Sequence, residues 1–231
     1  MNPDLLTFGH RASPYAADQP FGLGVADARH HTYLVGRTGT GKSTLLRNLA
    51  LQLLHTGHGF ALLDPHGDLV NDVLRHYPAR RADDLVWFDP ADTAFPVGLN
   101  PLFSVPPDLR PLVTDGLVSS FKSLWRESWG PRMEYILANS LAALLDCQNV
   151  TLLGVQRMLA DDAYRAWVVR QVRDPQVRFF WEQEFGQWDE RFRREAVSPV
   201  QNKLGQFFLH PAVRHILGQV ASRVDFRFTI D

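Results

Sequence analysis

The spacing of apolar and polar residues changes once along the chain, near residue 96. Before that point, short runs of strand-forming residues at 32–35, 60–63 and 85–88 alternate with segments whose apolar residues recur at helical spacing. Nearly continuous apolar strands joined by helices are typical of a parallel sheet covered on both faces. The first part of the chain is therefore predicted to be an α/β layer structure.

Two helices are predicted between these strands, at 45–54 and at 69–76, where apolar residues follow helical spacing. Ligands of parallel sheets bind at the carboxyl ends of the strands. Asp64 and Asp89 directly follow the second and third strands. Both carboxylates are therefore predicted at the ligand-binding edge of the sheet.

After residue 96 a cluster of prolines marks a linker, and from about 108 to 221 the apolar spacing is helical. The residues at 224–230 alternate between apolar and polar, as in a strand. Helices are predicted at 109–125, from 131 onward, at 161–173 and at 189–208. The predicted organisation is an irregular segment at 1–30, a core at 31–104, a helical insert at 105–222 and the start of a returning core strand at 223–231.

Composition adds few constraints. The formal net charge is −1, and residues 105–222 carry 14 basic and 13 acidic side chains, so no strong field points to nucleic acid or an acidic membrane. The single cysteine, Cys147, excludes an intramolecular disulfide and is expected to be a buried thiol. No apolar run approaches the length of a membrane span and no signal peptide is evident, so a cytoplasmic location is expected by default.

The strongest chemical signal is the stretch Gly36-Arg37-Thr38-Gly39-Thr40-Gly41-Lys42-Ser43, which fits the P-loop pattern G-x-x-x-x-G-K-[ST]. Glycines let successive N–H groups turn towards phosphate oxygens. Lys42 is placed to reach the β- and γ-phosphates, and the Ser43 hydroxyl is placed to bind Mg²⁺. Strand, glycine loop and helix follow in the order that this site requires, which favours a phosphate site over a turn without a ligand. ATP and Mg²⁺ are the predicted ligands, held by residues 36–44, which include Thr44.

A second acidic group is needed to hold the metal and orient water. Asp64 could face Mg²⁺ or the attacking water, while Asp68 is equally placed to cap the following helix. Hydrolysis usually also requires a Walker B carboxylate at the end of another strand. The nearest candidate is the strand that ends at Asp89, which offers one carboxylate before Pro90. Convincing Walker B chemistry is therefore not found in the sequence.

Two further features allow more than one interpretation. Arg132 follows a Gly-Pro turn at the start of a predicted helix and could reach a neighbouring subunit's nucleotide; it could as easily pair with Glu134 or face solvent. The stretch 178–194 is rich in aromatic and arginine residues, which can stack on nucleic-acid bases. Its aromatics are too frequent for one exposed face, so it is predicted to form the core of the helical insert.

Taken together, these residues resemble the HerA/FtsK-like pumping ATPases, and within them the branch of conjugative DNA-transfer coupling proteins and type IV secretion ATPases. The resemblance covers nearly the whole chain beyond about residue 25, and its combination of P-loop and Asp-Pro-His-Gly-Asp is fairly specific. The stretches that carry it are HTYLVGRTGTGKSTLL at 31–46, LLDPHGDL at 62–69, GLNPL at 98–102, GPRME at 130–134, and NKL at 202–204 before FFL at 207–209.

The resemblance implies a RecA-like P-loop NTPase core with a parallel sheet and an inserted all-helical domain. It implies a homo-hexameric ring that moves DNA, or in some relatives protein, through a central channel, with possible ties to conjugation or secretion machinery. Lys42 and Ser43 match the nucleotide-binding positions of the family. In the family a Walker B strand follows the region that ends here at Asp231, so the chain is expected to stop before that strand.

Three functions follow from these observations. The preferred one is the ATP-binding motor domain of a DNA-translocating ATPase, with Lys42, Asp64 and Arg132 as candidate catalytic residues and Ser43 and Asp64 as candidate metal ligands. The second is a shortened nucleotide-binding module that joins full-length partners without efficient hydrolysis. A small-molecule or nucleoside kinase is weaker, because the insert is large and charge-balanced where a kinase usually places a compact arginine-bearing lid.

Overall fold

The computed structural model describes residues 5–11 and 19–224. The described chain forms two compact units, the first ending at Leu85 and the second spanning Val86–Val224. The sequence places the change from core to helical insert after residue 104. In the structure, residues 86–104 belong with the helices, because 96–102 is hydrogen-bonded to the end of the helical unit. The predicted returning strand lies almost wholly at 225–231, outside the described residues.

The first unit begins with a β-hairpin that the sequence interpretation missed. Strands β1 (Leu5–Arg11) and β2 (Gln19–Gly24) pair antiparallel, with an irregularity in register between Thr7 and Gly9. The glycines and prolines at 1–30 indicated an irregular segment, but Pro20 lies in a two-stranded sheet, where both strands are edges and tolerate proline. At Gly22 a β-carbon would lie 1.9 Å from the Leu6 carbonyl oxygen, so glycine is required for the close approach of the strands.

Two helices complete the first unit. Helix α1 spans Lys42–Thr56 and helix α2 spans Asp68–Arg75, in agreement with the predicted helices. Their facing sides bury a small core of Ala50, Leu54 and Val73. The Gln52 side chain of α1 holds β1 in place, because its amide accepts a hydrogen bond from Thr7 N at 2.7 Å and donates one to Thr7 O at 2.9 Å.

The three predicted parallel strands do not form a sheet in the described residues, where the only sheet consists of β1 and β2. Several of their apolar side chains are exposed, such as Tyr33 at 92% and Leu63 at 87%. Burial of such side chains is what drives a sheet and its covering helices together. The parallel core with an inserted helical domain therefore stays a prediction.

The second unit is helical. Its larger helices enclose a continuous core that includes the fully buried Ile136, Leu141 and Phe180. Cys147 is buried in the same core, as expected from the sequence. The helices are α3 (Arg110–Leu124), α4 (Pro131–Leu145), α5 (Leu153–Ala160), α6 (Asp162–Val169), α7 (Pro175–Phe179), α8 (Glu190–Leu209) and α9 (Pro211–Leu217).

Local signals explain where several of these helices begin. Pro131 occupies the first turn of α4, where the missing N–H costs no hydrogen bond. The carboxylates of Asp161, Asp174 and Asp189 cap α6, α7 and α8 by accepting hydrogen bonds from backbone N–H groups of the first turn. The predicted helix at 161–173 is shorter in the structure, since α6 ends at Val169.

The aromatic stretch at 178–194 forms part of the core, as predicted. Phe180, Trp181 and Phe185 are buried, and Phe180 contacts Trp181 and Trp188 edge to face at 4.9 and 6.0 Å between ring centroids. A π-helical turn at Phe180–Glu184 brings these rings inward. The large apolar surface of the stretch is therefore used in folding, although Phe179 remains 52% exposed. No helix in the described part of the chain is long and apolar enough to cross a membrane.

Candidate functional site: the glycine loop

The loop before α1 has the backbone geometry that glycines permit. Gly39 and Gly41 adopt φ values of 82° and 88°, in the left-handed region that side chains with a β-carbon rarely occupy. Gly41 is also the N-cap residue, directly before the first residue of α1. Gly36 is favoured for a different reason: a β-carbon there would lie 2.5 Å from the Thr40 hydroxyl oxygen, so that hydroxyl would have to shift.

The Lys42 side chain folds over this loop. Its Nζ donates one hydrogen bond to the Gly36 carbonyl oxygen and one to the Arg37 carbonyl oxygen, both at 2.8 Å. An ammonium group has three donors. One donor therefore remains for a phosphate oxygen, and the other two fix the position of the charge relative to the loop.

The Arg37 carbonyl oxygen is the centre of the loop. Besides Lys42 it accepts the Thr40 hydroxyl at 2.8 Å and the Thr40 backbone N–H at 3.3 Å. These bonds close the turn from residue 37 to residue 40. Thr40 therefore positions the loop through its side chain, a role that the pattern G-x-x-x-x-G-K-S does not assign to this variable position.

The N-terminus of α1 is open to an anion. No side chain caps this end of the helix, and the hydroxyl of Ser43 makes no hydrogen bond within the described residues. Unpaired N–H groups and the helix dipole attract phosphate at such an end. Arg37, Thr38, Ser43 and Thr44 are exposed around it, and the Arg37 guanidinium has no ion-pair partner in the part of the chain that is described. These features fit the phosphates of ATP and, at the Ser43 hydroxyl, a Mg²⁺ ion.

Asp64 has the structural role that the sequence interpretation offered for Asp68, namely to cap helix α2. Its carboxylate accepts backbone hydrogen bonds from His66 at 3.1 Å, Leu69 at 2.8 Å and Val70 at 3.2 Å, and so caps the first turn of α2. These N–H groups, above all that of His66, lower the pKa of the carboxyl from its ordinary value. Asp64 is thus held as a carboxylate, while its binding to Mg²⁺ stays a prediction.

The neighbouring polar residues have simpler surroundings. His66 is exposed on the loop before α2, and Asp68 lies in the first helical turn, where a negative charge favours the helix dipole. Asp89 belongs to the second unit and accepts a hydrogen bond from Ala91 N at 2.8 Å, which shapes a turn. No group of three or more histidine, cysteine or acidic side chains in the described ranges is arranged to hold a metal ion.

Arg132 lies in the second unit and contacts helix α8. Its guanidinium carbon lies 4.7 Å from the centre of the Phe192 ring, and one guanidinium nitrogen lies 3.8 Å from the Glu195 carboxylate. The predicted partner Glu134 instead accepts hydrogen bonds from Lys122 at 2.9 Å and from the Trp129 indole at 2.6 Å. The Arg132 side chain is half exposed, and its action on a neighbour's nucleotide stays a prediction.

In the structure the glycine loop thus leads directly into the uncapped start of α1, and Lys42 is hydrogen-bonded to the loop. Residues 10–115 match the protein family described as Helicase HerA, central domain. The HerA match includes the glycine loop, α1, Asp64 and α2, and it supports a HerA-like P-loop ATPase for these residues. No curated protein and no solved structure matches the chain.

Proposed function

We propose that the chain is the ATP-binding part of a HerA/FtsK-type motor that translocates DNA, of the kind used in conjugation or secretion. The observation that carries the proposal is the glycine loop, in which Lys42 is fixed over two backbone carbonyls beside an uncapped helix start. The HerA match over residues 10–115 supports an ATPase motor of this type.

In this proposal each loop residue has a defined task. The third Lys42 donor and the N–H groups at the start of α1 bind the β- and γ-phosphates. The Ser43 hydroxyl and the Asp64 carboxylate would be the protein ligands of the Mg²⁺ that accompanies the nucleotide. A bound Mg²⁺ would supply neutralisation of the phosphate charge. Because Asp64 already accepts three backbone hydrogen bonds, its orientation is fixed before any ligand arrives.

The proposal extends to assembly and substrate. A homo-hexameric ring in the cytoplasm would place DNA in a shared channel, and Arg132 would act on the nucleotide of the adjacent subunit. The helical unit carries nearly equal numbers of basic and acidic residues. A single chain would therefore bind DNA weakly, since few phosphates would be neutralised.

One observation favours a second function, a nucleotide-binding module with slow turnover. The Asp64 carboxylate already accepts hydrogen bonds from three backbone N–H groups at the start of α2. A water molecule that Asp64 had to activate would compete with these N–H groups for the same oxygens. Such a module would bind Mg-ATP through the same loop and would associate with other subunits in the ATP-bound state.

Steady-state ATP hydrolysis, measured with and without DNA at several salt concentrations, tests the motor. A motor predicts turnover that rises with DNA, is abolished in Lys42→Ala and is reduced in Arg132→Gln without a change in ATP affinity. Because no convincing Walker B carboxylate is found in the sequence, we expect the turnover of this chain by itself to be slow. Tight ATP binding with no turnover in any assembly state, with or without DNA, would instead support the slow module. Failure of both binding and turnover would overturn both functions.

A further inference from the structure

The stretch GLNPL at 98–102 is hydrogen-bonded to parts of the second unit that are far away in the sequence. Residues 96–102, here called the entry segment, lie beside residues 216–224, the exit segment. Three backbone groups of the entry segment are paired across the gap, at 2.9 to 3.1 Å: Leu99 N with Ile216 O, Arg223 N with Gly98 O, and the Gln219 amide with Pro96 O. The segments that precede and follow the helices of the second unit are thus paired side by side.

Asn100 lies at the centre of this contact and is only 4% exposed. Its side-chain amide nitrogen donates to Val220 O at 2.7 Å in the exit segment and to Val150 O at 2.8 Å in the loop between α4 and α5. Its side-chain oxygen accepts from Leu102 N at 3.1 Å. One buried carboxamide therefore joins three backbone segments that are far apart in sequence.

The fit between the two segments is close. A β-carbon at Gly98 would lie 2.8 Å from the Gln219 side-chain oxygen and 2.9 Å from the Ala221 carbonyl oxygen. Since the φ of Gly98 is not in the left-handed region, this glycine is required for space and not for backbone freedom. Any larger side chain must push the exit segment away.

We propose that the hydrogen bonds through Asn100 couple the entry segment to the exit segment, an arrangement here called the clasp. The two segments then lose and regain their contacts together. A buried amide that loses one partner is left unsatisfied, and this penalty makes partial opening unfavourable. Because the two segments share these hydrogen bonds, a displacement of either segment is passed to the other. In a motor, such a connection would move the helical unit as one body.

Hydrogen exchange of the full chain without nucleotide tests the clasp, using Asn100→Ala and Asn100→Asp. Aspartate keeps the shape of the side chain but removes the two donated hydrogen bonds. We expect amides of the entry segment, the exit segment and residues 149–152 to exchange together, about tenfold faster or more than in the wild type. The amides within α4 and α1 should keep their protection.

Two further variants cover the case in which the Asn100 variants do not fold. Ser222→Ala removes the weaker 3.4 Å bond from Asn100 N, and Gly98→Ala crowds the segments while the carboxamide stays intact. Both should accelerate exchange in the entry and exit segments alike. Asn202→Ala is the matched control, because among the described residues this exposed carboxamide bonds Ser198 of α8 alone, and it should change neither segment. Acceleration confined to the mutated segment would overturn the clasp.

Discussion

The contact between Gly36 and Thr40 gives a prediction in which the structure sets both the size and the sign of the effect. A β-carbon at Gly36 would lie 2.5 Å from the Thr40 hydroxyl oxygen, so Gly36→Ala forces that hydroxyl away from the Arg37 carbonyl. The loss of one such hydrogen bond costs about 0.5–1.5 kcal/mol. Because the loop must regain this shape to hold phosphate, ATP should bind roughly 2- to 12-fold more weakly.

The same contact predicts that the Gly36→Ala substitution has no effect on ATP affinity once the Thr40 hydroxyl is removed. In Thr40→Ala the hydroxyl is absent, so adding Gly36→Ala should cause no further loss of ATP affinity, and the two substitutions should be strongly non-additive. Gly39→Ala is the matched control: a β-carbon there meets no atom within 4 Å, but its φ of 82° is strained for alanine. That strain costs about 1–2 kcal/mol and should weaken ATP roughly 5- to 30-fold, whether or not Thr40 is present. The test is calorimetry of ATP binding to the wild type, Gly36→Ala, Thr40→Ala and the double variant. If the double variant binds ATP clearly more weakly than Thr40→Ala does, the proposed contact between Gly36 and Thr40 is refuted.

Two other predictions concern titrating groups. The folded-state pKa of Asp64 is lowered, so its contribution to α2 should be full above the ordinary aspartate value of 3.8 and be lost as pH falls through the lowered pKa. The protection factors of the Leu69 and Val70 amides, which correct exchange for its intrinsic pH dependence, should therefore fall at acid pH in the wild type, whereas in Asp64→Ala they should be low at every pH; unchanged protection in the variant would contradict the cap. Burial raises the pKa of the Cys147 thiol to about 11, so thiol reagents at pH 8 should modify the native protein very slowly and the unfolded protein rapidly. Rapid labelling of the native protein would show that this part of the helical core is open.

Patterns read from the sequence gave α1, α2, α4 and α8 because each has a strong local signal at its start or an unbroken helical spacing. Pro131 and Asp189 are examples, since proline and an aspartate cap fix the first turn without help from distant residues. The glycine loop was predictable for the same reason. Its backbone shape depends on Gly36 and Gly41, which the motif names directly, and on Gly39, which occupies a variable position of the motif.

Other features depend on partners far away in the chain, and no local pattern reveals them. Strands β1 and β2 are held by their pairing and by Gln52, 45 residues from Thr7. Asp64 caps α2 across five residues, beyond the usual capping distance, so the sequence favoured Asp68 instead. Asn100 reaches Val220, 120 positions later, so no local pattern shows that residues 96–102 pack with the end of the helical unit.

The measurement that tests the central claim most directly is the affinity of the chain for Mg-ATP, compared with Lys42→Ala by isothermal titration calorimetry. Lys42 makes two hydrogen bonds to the loop and keeps one donor for phosphate. Loss of that charge-assisted contact costs about 1.5–3 kcal/mol. We therefore expect ATP to bind roughly 10- to 150-fold more weakly to the variant, and AMP, which lacks the β- and γ-phosphates, to be affected far less. Equal affinity of both proteins for Mg-ATP would contradict the assignment of the glycine loop as the nucleotide site.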